Sequence, residues 1–224
     1  MPKTPAVADA LDPPCPRCQK PTALCICADI VPFDNRVALL ILQHPQEQDV
    51  ELGTAALAAL HFKNAVLKIG LSWPSLGRAL GRTADPKRWA VLYLGSAKAK
   101  DLLPGRAVVA LNRKGTAAAA DQDAALSDIE GVILLDGSWS QAKALWWRNA
   151  WMLKAQRVAL HPPHASRYGK LRREPRRDGL STLEAAVLLL SRLEKKPEIE
   201  TALLASFDKL LARYRTLRAA SKAS

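Results

Sequence analysis

The sequence predicts an α/β domain, a mostly parallel sheet flanked by helices, with a small N-terminal zinc-binding lobe ahead of it. Three observations carry this expectation. Short β-type runs alternate with helical patterns between residues 36 and 218, the pattern of parallel strands joined by crossover helices. The run VALLIL (Val37–Leu42) shows no polar alternation, as a strand covered on both faces requires. All four cysteines of the chain fall within CPRCQKPTALCIC, Cys15 to Cys27.

In chain order, residues 1–14 are rich in proline and alanine and are expected to be disordered. The cysteine lobe is placed at 15–34, the α/β domain at 35–218 and a flexible tail at 219–224. Strands are expected near 36–43, 64–70, 88–95, 106–111, 131–135 and 156–160, and helices near 50–61, 117–127, 139–152, 181–194 and 198–218. The last helix carries Leu203, Phe207, Leu210, Tyr214 and Leu217 as one apolar stripe, with Lys209, Arg213, Arg215, Arg218 and Lys222 on its other faces.

Thirty-three Lys and Arg against 21 Asp and Glu give a net charge of +12 and a pI near 9.8. That balance favours a polyanionic partner such as a nucleic acid. The N-terminus lacks the apolar core of a signal peptide, and the longest purely apolar runs are six residues, far short of the ~18 needed to span a bilayer. A cytoplasmic protein is expected, with no membrane association and no obligate protein partner.

The cysteine spacing suits metal. Cys15 and Cys18 are separated by two residues, so both thiolates can grip one ion from a tight turn, and Cys25 and Cys27 can close a four-sulfur shell of the structural zinc type. Disulfides, an iron–sulfur cluster and unligated thiols are the other readings; a reducing compartment opposes the first. Arg17 and Lys20 inside the segment could touch phosphate or simply decorate the surface.

Ligands of open α/β sheets bind outside the carboxyl ends of the strands, and several polar or small residues stand there. The first strand ends in Gln43, His44 and Glu47, the third in Gly95 and Ser96, the fifth in Asp136, Gly137, Ser138 and Trp139, the sixth in His161 and His164. Asp136 or Ser138 could equally be a helix N-cap. Gly137 allows close backbone approach, and the helix mouth behind it offers amide donors to an anionic group. Trp146, Trp147 and Trp151 are expected to be packing residues.

The segment His161–Gly179 holds Arg167, Lys170, Arg172, Arg173, Arg176 and Arg177 against Glu174 and Asp178. A long basic loop beside a crevice suits a substrate carrying carboxylate or phosphate. The helix after it opens with Ser181, Thr182 and Glu184; Ser181 and Glu184 have capping-box spacing, and Thr182 and Glu184 face the same crevice.

These motifs in this order, QHPQE, DGSW followed by QAK, a basic Arg-Glu-Pro segment and LSTLEA, behind a four-cysteine segment, resemble the DTW-domain tRNA-uridine aminocarboxypropyltransferases. The match runs from Cys15 to about Leu190. Ser138 stands where the family's motif usually has threonine, so a hydroxyl is kept and a methyl lost. The resemblance implies a SPOUT-like, knotted fold and transfer of the 3-amino-3-carboxypropyl group of S-adenosylmethionine to N3 of a uridine in tRNA. It makes Asp136 the base or orienting group for the uridine, with Ser138 beside it, and Trp139 either a stacking surface for adenine or uracil or a helix-start residue packed on the sheet. An arginine or the helix-mouth amides would hold the donor's carboxylate and Glu184 its ammonium; Gln43, His44, Gly95, Ser96, Gly137, Ser181 and Thr182 would line the donor pocket, and the basic loop would meet tRNA. An RNA methyltransferase using the same donor, and a non-catalytic zinc-containing RNA-binding protein, are the competing readings.

Overall fold

Every residue of the first strand, β1 (Ala38–Gln43), is buried. Its odd and even positions serve two different cores. Leu39 and Ile41 join a cluster with helices on one face of the sheet, while Ala38, Leu40 and Leu42 pack with Leu76, Trp89, Trp151 and Met152 on the other. This double burial is the physical reason for an apolar run without alternation.

The computed structural model describes residues 13–92, 105–112, 114–117, 121–171 and 179–223. After β1 come α1 (Ala55–Leu60), β2 (Ala65–Ile69), α2 (Leu76–Leu80), β3 (Trp89–Leu92), β4 (Val108–Leu111), α3 (Gln122–Ser127), β5 (Gly131–Asp136), α4 (Trp139–Arg148), β6 (Gln156–Leu160), α5 (Thr182–Glu194) and α6 (Glu198–Ala223). Among the described residues the strands form one six-stranded sheet of order β2-β1-β5-β3-β6-β4. It is parallel except at the edge, where β4 runs antiparallel to β6. The expected α/β architecture and all six expected strands are therefore present.

The helices differ from expectation where side chains intervene. The helix expected over 139–152 stops at Arg148, and residues 150–154 form a 3-10 segment. Buried Asn149 ends it: its side-chain amide donates to the Leu145 carbonyl at 2.7 Å, an acceptor that its own backbone N–H would take in a continuing helix. The helix expected over 117–127 starts only after Asp121, whose carboxylate caps the Ala124 amide at 2.9 Å. α2 was not anticipated from periodicity, being only five residues long between its Ser75 cap and Gly81 at φ +77°. α6 continues to Ala223, past the expected end near 218.

β5 is threaded between β1 and β3. Gly131 opens it opposite Trp89, and a Cβ there would lie 2.6 Å from the Trp89 ring. The bare glycine lets that indole, 1% exposed, lie flat over the strand's start. On the helical face, Leu24, Ile26 and Ile30 of the cysteine segment enter the same core as Leu183, Leu190, Leu203 and Phe207. No helix among the described residues is long and apolar enough to cross a membrane.

Candidate active site

β1 and β5 are parallel neighbours whose last paired residues are Gln43 and Asp136. The Gln43 amide Nε2 donates to Asp136 Oδ2 at 2.8 Å, and the Thr182 hydroxyl donates to Asp136 Oδ1. Thr182 is the first residue of α5, so one carboxylate, 9% exposed, ties together two strand ends and a helix mouth. Its two oxygens are oriented by neutral donors, and each keeps a further lone pair.

The next three residues form the entrance to α4. Gly137 has φ +155°, and a Cβ on it would meet Gln141 Cβ at 2.9 Å. Ser138 is the N-cap in a capping box: Gln141 N–H donates to Ser138 Oγ at 3.4 Å, and Ser138 N–H to Gln141 Oε1 at 2.6 Å. Capping thus occupies the Ser138 side chain and two amides of this mouth. His44 sits beside Gly137; its backbone N–H donates to the Asp136 carbonyl at 2.9 Å, and its Nδ1 accepts from Gln46 N–H at 3.3 Å. Trp139 is 37% exposed, with the Lys143 ammonium 5.4 Å from its ring centroid.

At the mouth of α5, Ser181 and Glu184 form a second capping box. The Glu184 carboxylate, on a residue only 6% exposed, accepts from Ser181 N–H at 2.8 Å, Ser166 Oγ at 2.7 Å and Arg167 N–H at 2.8 Å. It clamps the start of the basic loop against the helix. Tyr168 then reaches across the core to donate to the Leu52 carbonyl at 2.6 Å, and Leu183 N–H donates to Thr54 Oγ1 at 3.2 Å. The loop after β1, the start of the basic loop and α5 are thereby tied to one another.

The four cysteine sulfurs lie within 4.8 Å of one another. The Cys15 and Cys27 sulfurs are 3.9 Å apart and all four thiols are free of disulfides. A tetrahedral zinc with Zn–S bonds of ~2.3 Å would set its sulfurs ~3.8 Å apart, so this set fits such an ion and not a pair of ~2.05 Å disulfide bonds. The Cys18 and Arg17 amides pull the Cys15 thiol down to about 6, while burial pushes the Cys18 and Cys27 thiols up. Packing so many sulfurs together favours a cation among them.

Lys20 was expected at the surface or on phosphate; it is instead buried, 6% exposed, and donates to the Glu51 carbonyl at 2.7 Å. Burial lowers its ammonium to about 8, against the opposing pull of Cys18, Glu51 and Asp136. The sequence carries no signal for this placement, because only the fold brings the cysteine segment beside the end of β1. Arg213 of α6 donates to the Cys25 carbonyl and Lys209 pairs with Asp29, which fixes the segment's other side.

The remaining expected site residues fare unevenly. Arg167 pairs its guanidinium with Asp208 of α6, and Lys170 is exposed. His161 and His164 are exposed beyond β6. Gly95, Ser96, Arg172, Arg173, Arg176 and Arg177 lie outside the described residues. Trp151 is buried and Trp146 half-buried, as packing residues should be, but Trp147 is 77% exposed, contrary to expectation.

Asp136, Gln43 and Thr182 thus converge at the carboxyl ends of parallel strands, and a family model described as "DTW domain" matches residues 12–215. The chain belongs to the DTW-domain family. Three curated relatives are each named "tRNA-uridine aminocarboxypropyltransferase 2". The protein from Macaca fascicularis is 30% identical over 198 residues, that from Mus musculus 31% over 194, each match covering 86% of this chain and 60% of the relative. The Drosophila melanogaster protein is 29% identical over 209 residues, covering 88% of this chain and 75% of the relative. This DTW domain therefore spans about 60% of the length of the two mammalian relatives. No solved structure matches the chain significantly.

Proposed function

We propose that this DTW domain transfers the 3-amino-3-carboxypropyl group of S-adenosylmethionine to N3 of a uridine in tRNA. The observation that carries the reading is the Asp136 carboxylate, held by Gln43 and Thr182 at the strand ends beside a side-chain-free Gly137. The relatives' names supply the reaction class, and the charge of +12 suits tRNA.

In this reading Asp136 accepts the N3–H proton of uracil. N3 then attacks the methionine-chain carbon bonded to sulfur. That carbon–sulfur bond breaks, its electron pair neutralises the sulfonium, and methylthioadenosine leaves. The sulfonium is already activated, so the protein's main task is to present one of its three carbons in line with N3. Two fixed hydrogen bonds give the base a single orientation, and general-base assistance of this kind is worth roughly 10²–10⁴ in rate.

The donor lies across the mouths of α4 and α5, against His44, Gly137, Ser181 and Thr182. Glu184 acts as a positioning residue, since its carboxylate already accepts from Ser166, Arg167 and Ser181. Cys15, Cys18, Cys25 and Cys27 would hold a zinc ion whose closed shell braces the segment that delivers Lys20. A SPOUT-like, knotted course and a cytoplasmic setting complete the reading.

The test is incubation of the purified full chain with unmodified tRNA and S-adenosylmethionine labelled at its carboxyl carbon. That label travels with the aminocarboxypropyl group and not with the methyl. Label in a uridine nucleoside is expected, and loss of at least about 100-fold in rate for Asp136→Asn. RNA that gains only a methyl, or gains nothing, overturns the reading.

A further inference from the structure

α4 leads away from Asp136 with an unusual outer face. Trp139, Lys143 and Trp147 recur every four residues and are exposed, as are Ser140 and Arg148, while Ala142 and Leu145 bury the opposite face. Trp147 is 77% exposed. Eight residues at a rise of ~1.5 Å place it ~12 Å along the helix from Trp139.

The helix ends on a built junction. The Asn149 side chain accepts from Trp73 N–H at 2.8 Å and donates to the Leu71 carbonyl at 3.0 Å; Ser72 Oγ donates to the Arg148 carbonyl at 3.0 Å; Trp151 Nε1 donates to the Trp73 carbonyl at 3.0 Å. Directly beyond Trp73 a groove of about 650 Å³ opens. Arg78, Arg82 and Lys154 line it with Pro74 and Trp151, and none of the described lining residues is a carboxylate. Of these cations Arg82 also donates to Asn64 Oδ1 at 3.4 Å; away from the groove Arg167 pairs with Asp208, Lys209 with Asp29 and Arg213 with the Cys25 carbonyl.

We propose that the outer face of α4 and the Arg78–Arg82–Lys154 groove form one docking track for the single-stranded nucleotides next to the target uridine, with an unpaired base stacked on Trp147 and backbone phosphates in the groove. An exposed indole beside cations is the composition of single-strand binding surfaces, where stacking is sequence-tolerant and phosphate contacts supply the charge. A second copy of this chain is the poorer occupant, because each copy carries +12 and the track itself presents cations without carboxylates in its groove. The inference rests on tRNA being the substrate but not on which group is transferred.

The test is equilibrium binding of unmodified tRNA to the full chain without donor, read by fluorescence anisotropy over a range of salt, followed by kinetics. Trp147→Ala is expected to weaken binding about tenfold with an unchanged salt slope, and Trp147→Phe to recover most of it. Arg78→Ala/Arg82→Ala is expected to weaken binding and to reduce the slope of log affinity against log salt by about two. In turnover both variants raise the KM for tRNA and leave kcat and the KM for donor unchanged. Wild-type chain that fails to bind tRNA overturns the proposed function itself. Wild-type chain that binds, with both variants binding equally well and with the same slope, overturns the docking track alone. Sedimentation showing a wild-type dimer that Trp147→Ala dissociates overturns it in favour of a self-association face.

Discussion

Gln43 and Asp136 are register partners at the ends of β1 and β5, and the Gln43 amide donates to Asp136 Oδ2 at 2.8 Å. An aligning contact and a reacting group are separable by mutation. Gln43→Ala keeps the carboxylate but frees one oxygen, so turnover should fall by about tenfold with little change in the KM for tRNA. Asp136→Asn removes the proton acceptor and should cost at least about 100-fold. Equal losses from the two would show that Asp136 serves geometry only; single-turnover rates at saturating donor decide between them.

Glu184 offers a test of stability as well as of positioning. Its two oxygens accept from Ser181 N–H, Ser166 Oγ and Arg167 N–H inside a nearly closed site. Glu184→Gln halves the acceptor capacity and puts an amide against donors. Leaving one buried donor unsatisfied costs about 1–3 kcal/mol. Urea denaturation should show a loss in that range, and amide exchange at Arg167 should accelerate.

Metal removal should reach further than the cysteine segment. Lys20 ties that segment to the Glu51 carbonyl, and Leu24, Ile26 and Ile30 belong to the main core. Elemental analysis is expected to find one zinc per chain in the wild type and none in Cys18→Ser. A loss of about 3 kcal/mol would lower the melting temperature by roughly 6–12 °C at ~2–4 °C per kcal/mol. A variant that melts like the wild type would mean that the four thiols brace nothing.

What was legible in the sequence is what local patterning controls. β1 and β5 are continuous apolar runs because both faces are covered, and Ser181 with Glu184 announces a helix start by capping chemistry. Asp136 stood out because a carboxylate, a glycine and a hydroxyl follow one another at a strand end. Illegible were the contacts made by distant segments. Lys20 reads as surface decoration or a phosphate contact until the cysteine segment folds beside Glu51, and Glu184 reads as a cap or a crevice residue until Ser166 and Arg167 fold back onto it from the preceding loop. The exposure of Trp147 was equally hidden, since an aromatic residue in a Leu- and Ala-rich helix reads as core until the sheet decides which face it covers.

His61 provides a pH test remote from the candidate site. It is buried, 2% exposed, with Nδ1 at 2.8 Å from the Leu57 carbonyl and Nε2 at 2.9 Å from the Ser206 hydroxyl of α6. A carbonyl only accepts, so Nδ1 carries the proton and the neutral ring accepts from Ser206. Burial holds its pKa below the ordinary 6.5, outweighing the Leu57 contact. The unfolded chain therefore takes up a proton at His61 first as pH falls. The stability tied to the neutral ring is complete above about pH 6.5, declines as pH drops through that value, and levels off only below the lowered pKa of the folded state. The slope inside that window is at most about 1.4 kcal/mol per pH unit. In His61→Asn the side-chain amide can still donate to Leu57 but cannot titrate. Urea midpoints measured from pH 7.5 to 5 should fall more steeply for the wild type than for this variant, and parallel curves would mean that His61 accepts its proton freely in the folded state.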